Sequence, residues 1–322
     1  MTPFTLNIRG SLVTYSRPVV AGILNVTPDS FYGGSRAFDA ADIERRVLTL
    51  VSEGADWIDI GACSTRPGAE TVDADAECER LQRGMEVLRR ITDLPVSVDT
   101  FRASVARRAV TDFGCDIVND ISGGLLDAEM FGTVAALGCP YILMHTRGTP
   151  ADMQTLTDYG DSLTATVLRE LQQRVHQATL AGVRDIIIDP GFGFAKTLDQ
   201  NYELMAHLPD FAIFERPLLV GISRKSMLTR LLGIDTDSAL NATTALNTLA
   251  LTLGAAVLRV HDVAAARQAV AVYDAVGRFV APGLAAAPWC SPTLNRGNDR
   301  NARGVSLYRK PQASGTVKAA PA

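Results

Sequence analysis

Eight short apolar runs recur between residues 19 and 260, and they constrain the fold more than any other feature of the sequence. They occupy residues 19–24, 57–60, 96–98, 117–118, 141–144, 186–188, 218–222 and 256–260. Each is nearly continuous in Val, Ile or Leu instead of alternating with polar residues. That is the pattern of parallel strands covered on both faces. Longer amphipathic stretches separate them, among them 40–53, 75–90, 157–181 and 241–253, and a helical pattern over 264–276 closes the series. Repeated strand–helix units imply an α/β protein with a parallel sheet, and eight of them favour a closed (β/α)8 TIM barrel. An open doubly wound sheet is the alternative, but no GxGxxG follows the first run as a dinucleotide fold requires.

Composition narrows the class. With 47% hydrophobic and 20% charged residues the chain can bury a large core. The net charge of −4 leaves no basic footprint for nucleic acid. Residues 280–322 carry six basic side chains against one acid, a net of +5, so the remainder carries −9. That segment is rich in Ala, Pro, Gly, Ser and Asn with no sustained period, and it reads as a basic, disordered tail. The expected organisation is an extension over 1–18 that could form a small hairpin, a catalytic domain over 19–279, and the tail over 280–322. No run approaches the length of a membrane span, and no signal-like pattern opens the chain. The five cysteines (Cys63, Cys78, Cys115, Cys139 and Cys290) show no ligand spacing, consistent with reduced thiols. A cytoplasmic location without membrane partners is the expectation.

A barrel of this kind builds its active site at the carboxyl ends of its strands. The residues that follow the eight apolar runs therefore test the assignment without any motif. The first run leads to Asn25, the second to Ser64-Thr65-Arg66-Pro67, and the third to Asp99. The fourth leads to Asn119 and Asp120, the fifth to His145, and the sixth to Asp189-Pro190-Gly191-Phe192-Gly193-Phe194. The seventh delivers Ser223-Arg224-Lys225-Ser226, and the eighth Arg259, His261 and Asp262. All eight ends carry a polar or ionisable group, as a catalytic mouth requires. At the opposite ends stand mainly the acids Asp56, Asp116 and Asp185.

Asp99, Asn119 and Asp189 suit a flat heterocycle rich in N–H donors, such as a 2-amino-4-oxo pyrimidine edge. The alternative for each acid is a helix cap or an ion pair. Arg66, Arg224, Lys225, Arg259 and His261 suit a phosphate or diphosphate, provided that the barrel closes and brings them together. Lys225 read alone is equally a surface lysine at a helix start. Asn25 suits a Mg²⁺ ion carried by a diphosphate, or else a turn. Loops 27–36 and 62–70 have the Gly and Pro content of lids. Phe31 and Phe194 are candidate aromatic walls, although Phe192 and Phe194 also fit a core position. His176 and His207 read as structural or exposed.

The stretches GILNVTPDSF (22–31), STRPGA (64–69), SVDT (97–100), IVNDISGG (117–124), DPGFGFAKT (189–197), GISRKSML (221–228) and LRVHDV (258–263) resemble dihydropteroate synthases. The resemblance runs in order over roughly residues 18–276. It implies a transferase of folate biosynthesis, tetrahydrofolate included, that joins 6-hydroxymethyl-7,8-dihydropterin diphosphate to 4-aminobenzoate and releases pyrophosphate. It also implies that Asp99, Asn119, Asp189 and Lys225 hold the pterin, with Arg259 stacked over it. Asn25, Thr65, Arg66, Arg259 and His261 would attend the diphosphate, with Asn25 on Mg²⁺. Phe31, Thr65, Pro67, Phe194, Lys225 and Ser226 would form the aminobenzoate side, where sulfonamides compete. Asp99, Asp189, Lys225 and Arg259 are the candidate catalytic residues, and a homodimer through the late helices is implied.

Two stretches depart from the pattern: SFYGGSR (30–36) lacks the serine-aspartate common before the glycine pair, and SALNATTA (238–245) lacks an arginine and a glycine. Neither falls on an expected pterin or diphosphate ligand. A corrinoid methyltransferase barrel would share the pterin carboxylates without a reason for SRKS together with RVHDV. A catalytically silent pterin-binding protein would have lost Asp99 or a diphosphate ligand, and all are present.

Overall fold

The computed structural model describes residues 2–27, 40–63 and 72–279. The chain begins with an antiparallel hairpin, β1 (Phe4–Ile8) and β2 (Ser11–Tyr15). Arg9 and Gly10 make its two-residue turn, both at positive φ (53° and 79°), which matches the twist of the flanking strands. Eight parallel strands follow: β3 (Val19–Asn25), β4 (Trp57–Gly61), β5 (Val96–Asp99), β6 (Ile117–Asp120), β7 (Tyr141–Met144), β8 (Ile186–Asp189), β9 (Leu219–Val220) and β10 (Val257–Val260). Their order is β8-β7-β6-β5-β4-β3-β10-β9. A bridge from Ile188 to Leu218, with Ile188 N donating to Pro217 O at 2.9 Å, joins the two ends and closes the ring. The chain is a (β/α)8 barrel.

Nine α-helices lie among the described residues: α1 (Ala40–Ser52), α2 (Ala74–Ile91), α3 (Ala103–Thr111), α4 (Met130–Leu137), α5 (Leu163–Leu180), α6 (Leu198–Ala206), α7 (Ser226–Leu232), α8 (Leu240–Thr252) and α9 (Val263–Gly277). The expected helix over 157–181 starts six residues late, at Leu163. Ser162 caps it by accepting from Ala165 N, and Gly160 at φ 64° breaks the pattern before it. None of the described helices is long and apolar enough to cross a membrane.

The strands sort their side chains by parity, as the period of two demands. Val20, Ile58, Ile60, Val96, Val98, Leu143, Ile188, Val220 and Leu258 join the core between sheet and helices. Val19, Ala21, Trp57, Ile117, Ile142, Ile187, Leu219 and Val257 form a separate cluster with Leu6 and Ile8 of the hairpin. The barrel is therefore filled from its amino end, and the hairpin closes that end. Trp57 Nε1 donates to the Tyr15 hydroxyl at 2.9 Å, and Phe4 stacks on Tyr15.

The acids at the amino ends hold this closure. Asp185 accepts from Asn7 N at 2.7 Å, Asp56 from Val20 N at 2.8 Å, and Asp116 from Val96 N at 2.8 Å. Asp116 also pairs with Arg9 and Arg89. With the amino end filled, the inward-facing positions nearer the carboxyl ends are left for a site.

Candidate active site

Counting by two from the apolar interior residues reaches the candidate site. Trp57 leads to Asp59 and Gly61, Ile117 to Asn119, Ile187 to Asp189, and Val257 to Arg259 and His261. The strand register sets Asn25 beside Gly61, Gly61 beside Asp99, and Asp99 beside Asn119. A barrel with one fixed register thus brings side chains far apart in sequence onto one rim.

Arg259 is the centre of this rim. Its Nε donates to Asp59 Oδ2 at 2.7 Å and its Nη2 to Asp99 Oδ2 at 2.7 Å. Burial disfavours the charge, but Asp59 and Asp99 outweigh it and hold the guanidinium charged. Asp59 Oδ1 accepts from the Ser97 hydroxyl at 2.5 Å and from Asn119 Nδ2 at 3.1 Å. Burial, with Asp59, Glu77 and Asp120 nearby, raises the Asp99 carboxyl above the usual range despite Arg259.

Asp189 uses Oδ1 to accept from Gly191 N at 2.8 Å, which sets the turn after β8. Burial raises its pKa, with Lys225 opposing. Lys225 occupies the N-cap position of α7 without a side-chain capping bond, donates from Nζ to Phe192 O at 2.6 Å and stands 4.7 Å from the centre of the Phe194 ring. Burial pushes the Lys225 ammonium down to about 8, against the pull of Asp189. The two phenylalanines divide the alternatives between them: Phe192 is a fully buried core residue, while Phe194 is part-exposed beneath Lys225. Ser226 is exposed at the first position of α7.

His261 accepts at Nδ1 or donates from it to the Ser223 hydroxyl, 3.0 Å away, and its backbone N donates to the same oxygen at 3.1 Å. Burial pushes its pKa down to about 4, with Arg259 adding to the effect. Asn25 closes the rim. A Cβ placed on Gly61 would lie 3.7 Å from Asp99 Oδ2 and 3.8 Å from Asn25 Oδ1, so Gly61 leaves room beside both side chains.

Residues 21–261 match the family model described as pterin binding enzyme. A dihydropteroate synthase from Synechocystis is 44% identical over 265 residues, covering 81% of this chain and 91% of that protein. The chain belongs to the dihydropteroate synthase family. The solved Yersinia pestis dihydropteroate synthase, in complex with a sulfonamide drug, superposes with a TM-score of 0.79 at 37% identity, over 86% of this chain and 100% of the other. The Xanthomonas albilineans family member with 4-aminobenzoic acid gives 0.79 at 39% identity, over 86% and 99%.

Within this family frame, one expectation needs correcting. Arg224 does not join the other cations of the mouth; its Nε and Nη2 grip both oxygens of Asp262 at 2.8 Å each. It braces the loop after β9 against the start of α9, and a guanidinium so held is committed to its carboxylate. The expected residues Phe31, Thr65, Arg66 and Pro67, and the tail over 280–322, lie outside the described residues.

Sequence reasoning missed Asp59, although the parity count from Trp57 would have found it. It also missed a buried chain behind the β8 loop. Lys196 Nζ lies 3.1 Å from His145 Nδ1 and donates to Gly191 O at 3.0 Å and Phe194 O at 3.1 Å. His145 Nε2 reaches Glu170 Oε2 at 2.9 Å. An ammonium can only donate and a carboxylate can only accept, so His145 carries its proton on Nε2. Burial, with Lys196 beside it, pushes the imidazole down to about 3. His145 is wholly buried and holds the loop from behind instead of facing a ligand. Cys63 is part-buried, and burial raises its thiol, the reverse of what activates a nucleophile.

Proposed function

We propose that this chain is a dihydropteroate synthase, a transferase of folate biosynthesis. It joins 6-hydroxymethyl-7,8-dihydropterin diphosphate to 4-aminobenzoate, forming 7,8-dihydropteroate and pyrophosphate. The observation that carries the reading is the single rim on which Asp99, Asn119 and Asp189 offer acceptors while Arg259 offers a guanidinium and His261 an imidazole. The acceptors match the N–H edge of a pterin, and the donors match a diphosphate carried on the same ring.

In this reading Asp99, Asn119, Asp189 and Lys225 hold the pterin, and Arg259 lies against it. Asn25, Thr65, Arg66, Arg259 and His261 receive the diphosphate. Phe31, Thr65, Pro67, Phe194, Lys225 and Ser226 form the aminobenzoate side, where a sulfonamide would compete. Among the described residues no group of three or more His, Cys, Asp or Glu side chains could hold a metal ion. The Asn25 amide oxygen on this rim is nonetheless a hard donor, and it fits a Mg²⁺ ion whose remaining ligands are water and substrate phosphate, while Asp99 Oδ2 is already taken by Arg259. Asn25 would be its protein ligand, and the bound ion would neutralise charge on the diphosphate.

The bond from the pterin's exocyclic carbon to the diphosphate oxygen breaks first, and its electron pair leaves with pyrophosphate. Asp99 and Asp189 stabilise the cation left on the conjugated ring, while Arg259 and His261 stabilise the departing oxygens. The arylamine nitrogen then forms the new C–N bond and loses a proton, with no need for a strong base. A secondary isotope effect near unity at the exocyclic carbon would instead favour direct displacement.

The chain is further read as a cytoplasmic homodimer through its late helices, with a catalytic domain over 19–279 followed by the basic segment 280–322. The decisive experiment is pyrophosphate release by purified protein given both substrates and Mg²⁺, each omitted in turn. Release that requires all three and vanishes in Asp99→Ala is expected. Pterin binding without release would overturn the synthase reading and favour methyl transfer or a silent binding role.

A further inference from the structure

We propose that Asp59 fixes the direction of the Asn119 amide and thereby makes the mouth select ring edges that donate hydrogen bonds. The inference rests on the pterin reading above and names the residue behind that selectivity. Asp59 sits on β4, one inward-facing step below Gly61, and is 1% exposed. Its Oδ2 is taken by Arg259, and its Oδ1 by the Ser97 hydroxyl and Asn119 Nδ2. A carboxylate paired with a guanidinium can only accept. The Asn119 side chain must therefore turn its NH2 group inward to Asp59. The reverse orientation would set two oxygens against each other in a dry site, with neither satisfied.

What remains for a ligand is the Asn119 carbonyl oxygen. Its amide makes no other side-chain bond to a described residue. With Asp99 and Asp189, the rim then offers three acceptors to one ring. A ring edge bearing NH2 and N–H is satisfied, whereas a carbonyl at the same place is repelled. Asp59 is a positioning residue, since Arg259 and Asn119 stand between it and the mouth.

The substitution Asp59→Asn keeps the shape and adds one donor group. Arg259 can only donate, so the new amide must keep its oxygen toward Arg259 and turn its NH2 toward Ser97 and Asn119. The Ser97 hydroxyl can rotate to accept, but Asn119 must reverse. The test is calorimetric binding of pterin and of lumazine, its 2-oxo counterpart, to the full chain and its variants, with thermal melts alongside.

In Asp59→Asn the pterin-to-lumazine affinity ratio should fall by about tenfold or more, the scale of one reversed hydrogen bond in a dry site. Asn119→Asp alone sets two carboxylates together and should also weaken pterin binding. The double variant should restore the ratio to within about threefold of wild type, because the carboxylate introduced in place of Asn119 accepts from the new NH2 and keeps an acceptor facing out. A merely structural role for Asp59 would lower stability without moving the ratio and would give no such rescue.

An unchanged ratio in a cooperatively melting Asp59→Asn protein, or a double variant that does not regain pterin binding, overturns the proposal. If Asp59→Asn alone does not fold, the comparison of Asn119→Asp with the double variant decides. Wild-type protein that binds neither compound would instead overturn the pterin reading.

Discussion

Arg224 grips both carboxylate oxygens of Asp262 at 2.8 Å, joining the SRKS turn to the first residues of the last helix. Arg224 itself adopts φ 55°, a conformation an arginine takes only when its surroundings impose it. The pair lies under the two segments that deliver Lys225 and His261. Arg224→Ala and Asp262→Ala should each reduce stability, and the double variant should cost less than their sum. A coupling of roughly 0.5–3 kcal/mol is expected from a urea double-mutant cycle. Strict additivity would show that the pair does not act as a brace.

Lys225 is held down to about 8 by burial, so its charge is lost on the alkaline side of neutrality. If its ammonium contributes to binding, kcat/KM should fall about tenfold per pH unit above about 8. Lys225→Arg keeps the charge at high pH. Whatever its overall rate, its profile should lose that limb. An identical alkaline limb in the arginine variant would assign it to another group.

His145, held near 3, is neutral in the folded protein, while the unfolded chain takes up a proton as pH falls through about 6.5. The unfolded state then binds more protons. The stability that this side chain contributes is therefore full above about pH 6.5, and it falls by about 1.4 kcal/mol per unit down toward about 3. The gap in urea stability between wild type and His145→Gln should narrow as the pH is lowered from about 7 to about 5. A gap independent of pH would mean that His145 takes up its proton at the same pH in the folded protein as in the unfolded chain.

Two glycines of the mouth should respond in opposite ways. Gly191 has φ 74°, and a Cβ there would lie 1.8 Å from the His145 carbonyl oxygen, so Gly191→Ala should lose several kcal/mol or fail to fold. A Cβ on Gly61 meets its nearest neighbour, Asp99 Cβ, at 3.4 Å, an ordinary contact. Gly61→Ala should fold with a melting temperature near wild type. Its methyl group would nevertheless stand on the inner face of the mouth, 3.8 Å from Asn25 Oδ1, and weaken diphosphate binding, which titration with pyrophosphate and Mg²⁺ reads directly. Equal behaviour of the two variants in melts would contradict this geometry.

The strand ends Asn25, Asp99, Asn119, Asp189 and Arg259 were legible because a polar residue at the end of an apolar run has few other reasons to be there. Arg224 was misjudged for the same reason: its position marks a strand end, but nothing local says that Asp262 stands within reach. Lys196 carried no signal. It follows a Gly- and Phe-rich loop as a surface lysine would, and only the turn at Gly191 brings it to His145.

The sequence by itself determined the eight strands, their covering helices and the end of the barrel that carries the site. Those follow from periodicity and from the cost of burying polar backbone and side chains, which are local quantities. Only the tertiary structure decided which acid meets which base: that Asp59 and Asp99 share Arg259, that Asn119 turns its NH2 group inward, and that Arg224 turns to Asp262. Ring closure and strand register set those distances, and both are properties of all eight strands together.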